Sequence, residues 1–324
     1  MFMWSNYYGG VMGINIVNKP NSSLAKVLAR DFRQNKYKYL LILPVLVYFI
    51  LFSYKPMYGL IIAFQDFRAN LGIMRSRWVG WRHFSAFFND PYFFRLLRNT
   101  ISISLLNILF GFPAPIILAI LLNELKNVFF KRTVQTVTYM PYFISMVVVA
   151  GLIRTYSTQT GILSQIASLF GGDGKNYLMF PQYFYPIYVI SDIWQHIGWN
   201  SIIYLAAITG IDQEQYEAAI IDGAGRFRRI FSVTIPNLLP IIMVLFILRM
   251  GGILNVGFEK IILLYNPSIY SVADVISSFV YRRGIQEAAY SYATAVGLFN
   301  SVVNVIFLVT ANTLSRKFSE YSLF

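Results

Sequence analysis

The side chains able to do chemistry stand out because they are stranded in apolar surroundings. Arg249 lies between Leu248 and Met250 in a long apolar run. A charge at the centre of a bilayer-crossing helix costs about 2.5–3.5 kcal/mol to insert, so it needs a partner or a water-filled cavity. A guanidinium facing a cavity grips a carboxylate through two parallel hydrogen bonds, which would suit an acidic solute. An ion pair with Asp192 accounts for it equally well. A second group runs Asp192, Trp194, Gln195, His196, Trp199, Asn200. Trp194, Trp199 and Asn200 could give a sugar ring an aromatic platform and hydrogen bonds. They would also serve as interface anchors and as a bond between helices. Asn255 and Asn300 are weaker cases of the same kind.

Other chemistries find little here. The chain has no cysteine, hence no thiolate nucleophile and no zinc–thiolate site. His83 and His196 are too far apart to suggest a metal motif. The run Gly171-Gly172-Asp173-Gly174-Lys175 looks like a phosphate loop but lacks the spacing and the following Ser or Thr. A membrane transferase would want acids clustered at one interface, whereas the 14 Asp and Glu are scattered. No catalytic residue is assigned.

The elements that must position these groups are membrane spans. Of 324 residues 56% are hydrophobic and only 13% charged, where a soluble protein carries about a quarter charged. Several apolar runs approach the roughly 20 residues that a helix needs to cross a bilayer. The pattern predicts an all-α, polytopic membrane protein with six spans: residues 39–53, 99–123, 134–156, 184–208, 236–258 and 293–314. Tyr54-Lys55-Pro56 is read as interrupting the first span, leaving a short run, 57–64, that cannot cross alone. Prolines 113, 115 and 141 lie inside spans, where neighbouring helices can satisfy the freed carbonyls. Residues 1–38 form a basic arm on the cytoplasmic side, followed by one integral domain over 39–324. Six spans put both termini on one face. Only about half of the 27 Lys and Arg fall on segments assigned to the cytoplasm, so charge supports that topology modestly. In so apolar a chain the net charge of +13 points to lipid rather than nucleic acid.

Between the fourth and fifth spans lies a polar, small-residue segment, about 210–235, that no simple turn requires. Asp212 can cap a helix start with Gln215 as a box-like partner. Gly223 permits the positive φ that ends one helix and redirects the chain. Two short helices joined at this glycine, outside the bilayer, are the expectation. The spacing Glu217-Ala218-Ala219, Gly223, then Val233-Thr234-Ile235-Pro236 resembles the signature of ABC importer permeases. The pattern's Ile and Leu are replaced here by Val233 and Ile235, which keeps both positions apolar. The resemblance implies the type I importer permease fold. It also implies that this segment is the coupling helix docking on an ATPase subunit, with Glu217, Ala218, Ala219, Asp222, Gly223 and Arg226 as docking residues. Arg228 and Arg229 are further candidates, or lipid headgroup contacts.

Several other stretches are similar to the branch that imports oligosaccharides. They include Tyr54-Lys55-Pro56-Met57-Tyr58-Gly59, residues 193–200, Asn255 through Ile261, Asp274-Val275-Ile276 and Tyr290 through Ala295. Within that branch the likeness extends to permeases of alginate-oligosaccharide importers. The resemblance implies a second, related permease, two ATPase subunits carrying ATP and Mg, and an extracytoplasmic solute-binding protein. It implies no cofactor in this chain, and a place in the bacterial cytoplasmic membrane. A channel or secondary transporter working without ATP is the alternative, and it has no need of the segment at 217–236.

Overall fold

The computed structural model describes residues 31–318 and Leu323. Most of the basic arm over residues 1–38 therefore lies outside the described residues. Described residues up to Gly59 belong to one compact unit, and those from Leu60 onward to another.

Among the described residues the regular structure is helical, apart from one antiparallel pair of two-residue strands, β1 (Gln65–Asp66) and β2 (Arg77–Trp78). Among the described residues, four helical runs are long and apolar enough to cross a membrane: α1 (Lys36–Phe64), α2 (Phe93–Glu124), α7 (Arg226–Met250) and α10 (Tyr290–Phe318). The pair α3 (Val128–Phe143) and α4 (Met146–Tyr156) passes the same test only when taken together, and is bent by 101° at its break. The helix α5 (Pro181–Thr209) has the length, 29 residues, but carries the polar groups Asp192, Gln195, His196 and Asn200. Between the long elements lie α6 (Gln213–Ile221), α8 (Phe258–Leu264) and α9 (Ile276–Tyr281).

Pro56, expected to interrupt the first span, Pro113, expected inside the second, and Pro236, expected to start the fifth, all lie within continuous helical runs. Each is preceded by a wide turn in which the residue before the proline bonds back five positions. Lys55 N–H reaches the Ile50 carbonyl ahead of Pro56, Phe112 N–H the Asn107 carbonyl ahead of Pro113, and Ile235 N–H the Ile230 carbonyl ahead of Pro236. The wide turn makes room for the ring, whose clash with the preceding turn would otherwise kink the helix. The first span is therefore continuous from Lys36 to Phe64 instead of breaking at 54–56. The second starts at Phe93, a turn and a half before Asn99. The passage around Pro141 does break, at Ile144 and Ser145. The Ile144 carbonyl freed there accepts from Gln195 Nε2 at 3.2 Å, so a polar group on α5 satisfies the gap.

The core of the second unit is distributed. Ile103, Val149, Tyr188 and Ile261 pack together from α2, α4, α5 and α8. Leu96, Leu254, Phe279 and Val296 form a second cluster, and Ala119, Tyr204 and Leu238 a third. One buried electrostatic clamp ties α2 to α9. Asp274, fully buried, accepts from Arg95 at 3.1 Å, from both amines of Arg282 at 2.8 and 3.0 Å, and from Ser278 at 2.8 Å. Burial works against the charge on Arg282, but the Asp274 carboxylate more than reverses this. The guanidinium is held above its ordinary value.

Candidate functional site

Two regions carry the residues singled out above, one at each end of α7.

At the start of α7, Asp212 caps α6 by accepting from Glu214 N–H at 3.0 Å. Gln215 does not close a capping box. Its side-chain oxygen accepts instead from Asn237 Nδ2 at 2.8 Å, and Tyr216 Oη meets Thr234 Oγ1 at 2.9 Å. Both bonds brace α6 against α7. Gly223, at φ 75°, ends α6, and Ala224 N–H returns to the Ala219 carbonyl at 2.9 Å. The second of the two expected short helices is not separate. It begins at Arg226 and runs through the wide turn at Ile230–Thr234 into the span, so α7 starts ten residues before Pro236. Nothing on α6 is buried. Glu217, Ala218, Asp222, Gly223 and Arg226 are exposed and Ala219 is half-buried. Ile221 and Phe227 are 85% and 80% exposed beside them. Exposed apolar side chains on a short polar helix are what a docking surface needs.

At the finish of α7 lies a cavity of about 680 Å³. Its polar wall comes from one face of α5, where Asp192, His196, Trp199 and Asn200 recur at helical spacing. Trp194, two residues from Asp192, points elsewhere and does not line the cavity. Trp199 stacks on Tyr142 of α3, ring centroids 4.5 Å apart and planes 4° from parallel. The expected fifth span to Phe258 stops at Met250. Arg249 is thus in the last turn of a helix and not in mid-span. There the aligned peptide dipoles favour a cation, which offsets part of its cost.

Arg249 does not pair with Asp192. It is exposed to the cavity and makes no hydrogen bond or ion pair among the described residues. Asp192 is taken by Lys260 at 3.5 Å and by His196 at 3.6 Å. Lys260, 1% exposed, also donates to the Tyr188 carbonyl at 2.9 Å and lies 4.5 Å from that ring's centre. Gly257 makes this possible. Its φ of 44° starts α8, and a Cβ there would collide with Tyr188 Oη. Asn255 lines the cavity, its Oδ1 accepting from Asn300 at 3.1 Å and Asn304 at 3.4 Å. Asn300 itself borders a separate, largely apolar cavity of about 670 Å³.

Of the six path candidates, the fold therefore gathers Arg249, Trp199, Asn200 and Asn255 and leaves out Trp194 and Asn300. Sequence reasoning missed Lys260, Tyr142 and Asn107. Lys260 is the nearest to legible, since it stands three residues after a Gly in an apolar stretch.

Long apolar helices around a polar cavity of this size, with an exposed short helix beside the start of one of them, fit a polytopic membrane transport protein. Residues 111–320 match the family described as binding-protein-dependent transport system inner membrane component. Protein LplB of Bacillus subtilis is 46% identical over 293 residues, covering 90% of this chain and 92% of that one. The polygalacturonan/rhamnogalacturonan transport system permease protein YteP of the same organism is 44% identical over 292 residues, covering 90% and 91%. A chain in the crystal structure of a bacterial alginate ABC transporter, in complex with its alginate pentasaccharide-bound periplasmic protein, superposes with a TM-score of 0.85. It is 42% identical, and the match covers 91% of this chain and 99% of that one. The chain belongs to the family of binding-protein-dependent transport system inner membrane components. It is a permease of an ABC importer with the type I fold, a transport component rather than an enzyme.

Proposed function

We propose that this permease forms one part of the membrane path of an ATP-driven importer of acidic oligosaccharides. The observation that carries the reading is the charge balance of the cavity. Its carboxylate, Asp192, is committed to Lys260, while Arg249 faces the same space unpaired. The surplus is one positive charge, displayed as a fork that matches a carboxylate. The stacked pair Trp199 and Tyr142 offers an aromatic edge to a sugar ring beside it. The names of the relatives, an importer of alginate and one of polygalacturonan/rhamnogalacturonan, point to the same class of solute.

The partners follow from the same frame. A second permease completes the path, and two ATPase subunits supply ATP and Mg, with no cofactor in this chain. A solute-binding protein delivers the sugar from outside. The four apolar runs, the bent pair α3–α4 and α5 would make six passages of the cytoplasmic membrane, with both termini and α6 inside. ATP-driven closure of the ATPases would move α6 and, through its two bonds to α7, the end of that helix that bears Arg249.

The test is purification of the complex from its native membrane in mild detergent, with identification of the subunits. The ATPase rate is then measured with the binding protein and a panel of oligouronates and neutral oligosaccharides. Recovery of a second permease and an ATPase stimulated by oligouronates is expected. Recovery of this chain alone, or stimulation by neutral sugars only, would contradict the reading.

A further inference from the structure

His196 offers the cavity a nitrogen whose hydrogen-bonding sense is fixed from behind. The residue lines the 680 Å³ cavity, and its side chain is 33% exposed. Its Nδ1 lies 2.9 Å from the Asp192 backbone carbonyl and 3.6 Å from the Asp192 carboxylate. Both of those groups only accept, so Nδ1 carries the proton. In the neutral ring Nε2 is then a bare acceptor. It bonds to nothing among the described residues, yet it is not one of the sealed polar atoms that lack a partner. Nε2 is open to a solute.

The other groups on the wall offer little of the same kind. Arg249 and the Trp199 indole only donate, and Asn200 can serve in either sense. The Asn255 oxygen is filled by Asn300 and Asn304. Asp192 accepts, but its negative charge, already shared between Lys260 and His196, would repel a uronate. An imidazole nitrogen takes a hydroxyl hydrogen without that repulsion. Its place on the wall adds to this. The His196 ring stands at 78° to Tyr142, centroids 5.9 Å apart, and Tyr142 in turn stacks on Trp199. A pyranose ring laid against this aromatic edge brings its hydroxyls alongside the imidazole. We propose that His196 is a specificity-determining residue of the transport path, its Nε2 accepting a hydrogen bond from a ring hydroxyl of the oligosaccharide. This assignment rests on the reading of the cavity as an oligosaccharide path, and not on the charge of the sugar.

Two substitutions separate the two nitrogens. His196→Asn keeps an N–H near the position of Nδ1 and removes the acceptor at Nε2. His196→Gln carries an amide oxygen out to the neighbourhood of Nε2. The assembled transporter, with its ATPase and binding protein, is reconstituted in liposomes. Uptake of tetragalacturonate and of its carboxyl-reduced tetramer, which keeps the ring hydroxyls, is measured at subsaturating concentration. Melting temperatures are taken as the control for folding, and Arg249→Met is run alongside. His196→Asn is expected to lower uptake of both sugars about fivefold, and His196→Gln to restore most of it, at similar melting temperatures. Arg249→Met is expected to lower uptake of the uronate far more than that of the reduced sugar. Wild-type uptake by His196→Asn, or losses of the same size in both His196 variants, would overturn the role of Nε2. Equal losses of both sugars in Arg249→Met would overturn the acidic-solute reading alone. The contrast between the two His196 variants would then still decide the hydroxyl bond.

Discussion

The two ends of α7 carry the same kind of side chain in opposite electrostatic settings. At its start, Arg226, Arg228 and Arg229 occupy the first turn. Unpaired N–H groups make that end positive and disfavour each cation by about 0.3–1 kcal/mol. At its finish, Arg249 occupies the last turn, where the same dipole favours it. The first end would be favoured by an anionic surface outside the chain, in a partner protein or in lipid headgroups. The second end needs none, which leaves the Arg249 guanidinium free for a solute. A single continuous helix thus joins a face that asks for a partner to a charge that can accept a cargo. The bonds Tyr216–Thr234 and Gln215–Asn237 tie the docking helix to its base.

The contrast can be broken from either end. The largest effect is expected at the docking end. Gly223→Pro forces a φ near −65° where the chain needs 75°, and Glu217→Lys reverses a charge on the exposed face. Either should abolish uptake or uncouple ATP hydrolysis while the membrane complex persists, and unchanged uptake would remove α6 from the coupling path. At the cavity end, Lys260→Met takes a buried cation away from Asp192, which faces the cavity and keeps His196 at 3.6 Å. A fall in melting temperature is expected, smaller than for a fully buried pair and relieved when Asp192→Asn is added. Arg249→Met should leave stability nearly unchanged, because this arginine has no partner to strand, and should lower oligouronate uptake about tenfold. A large loss of stability would mean that the residue is structural. The smallest effect belongs to the brace. Tyr216→Phe deletes one hydrogen bond worth about 0.5–1.5 kcal/mol and should raise the ATP spent per solute about twofold with only a small fall in melting temperature. A wild-type ratio would show that the brace carries no motion.

The same two ends differ in how far the amino-acid sequence reveals them. The docking segment is local. Glu217, Gly223 and Ile235 fall within twenty residues, and the cap at Asp212 and the positive φ at Gly223 follow from residue type alone. What could not be seen there was the continuation of Arg226 into the span, since Pro236 reads as a helix start until the wide turn at Ile230–Thr234 is known. The cavity is assembled from distant pieces. Tyr142, Asp192, Arg249 and Lys260 come from four elements, and nothing in one dimension says that Asp192 would choose Lys260 over Arg249. Two features decided it. The Gly251-Gly252 pair ends α7 early, and Gly257 brings α8 against Tyr188. The helical spacing of Asp192, His196 and Trp199 puts them on one shared face, and the same spacing, not used in reading the run, excludes Trp194.

Docking of α6 on an ATPase subunit would cover its exposed face in the working transporter. The chain contains no cysteine, so Ile221→Cys supplies a single thiol at the 85% exposed position on that face. The measurement is crosslinking of this thiol in the assembled complex with a short bifunctional reagent, followed by identification of the linked protein. A crosslink to the ATPase subunit is expected, with protection of the thiol from maleimide when that subunit is bound. Free labelling at the same rate in the complex and in the isolated permease, with no crosslink to an ATPase, would contradict it.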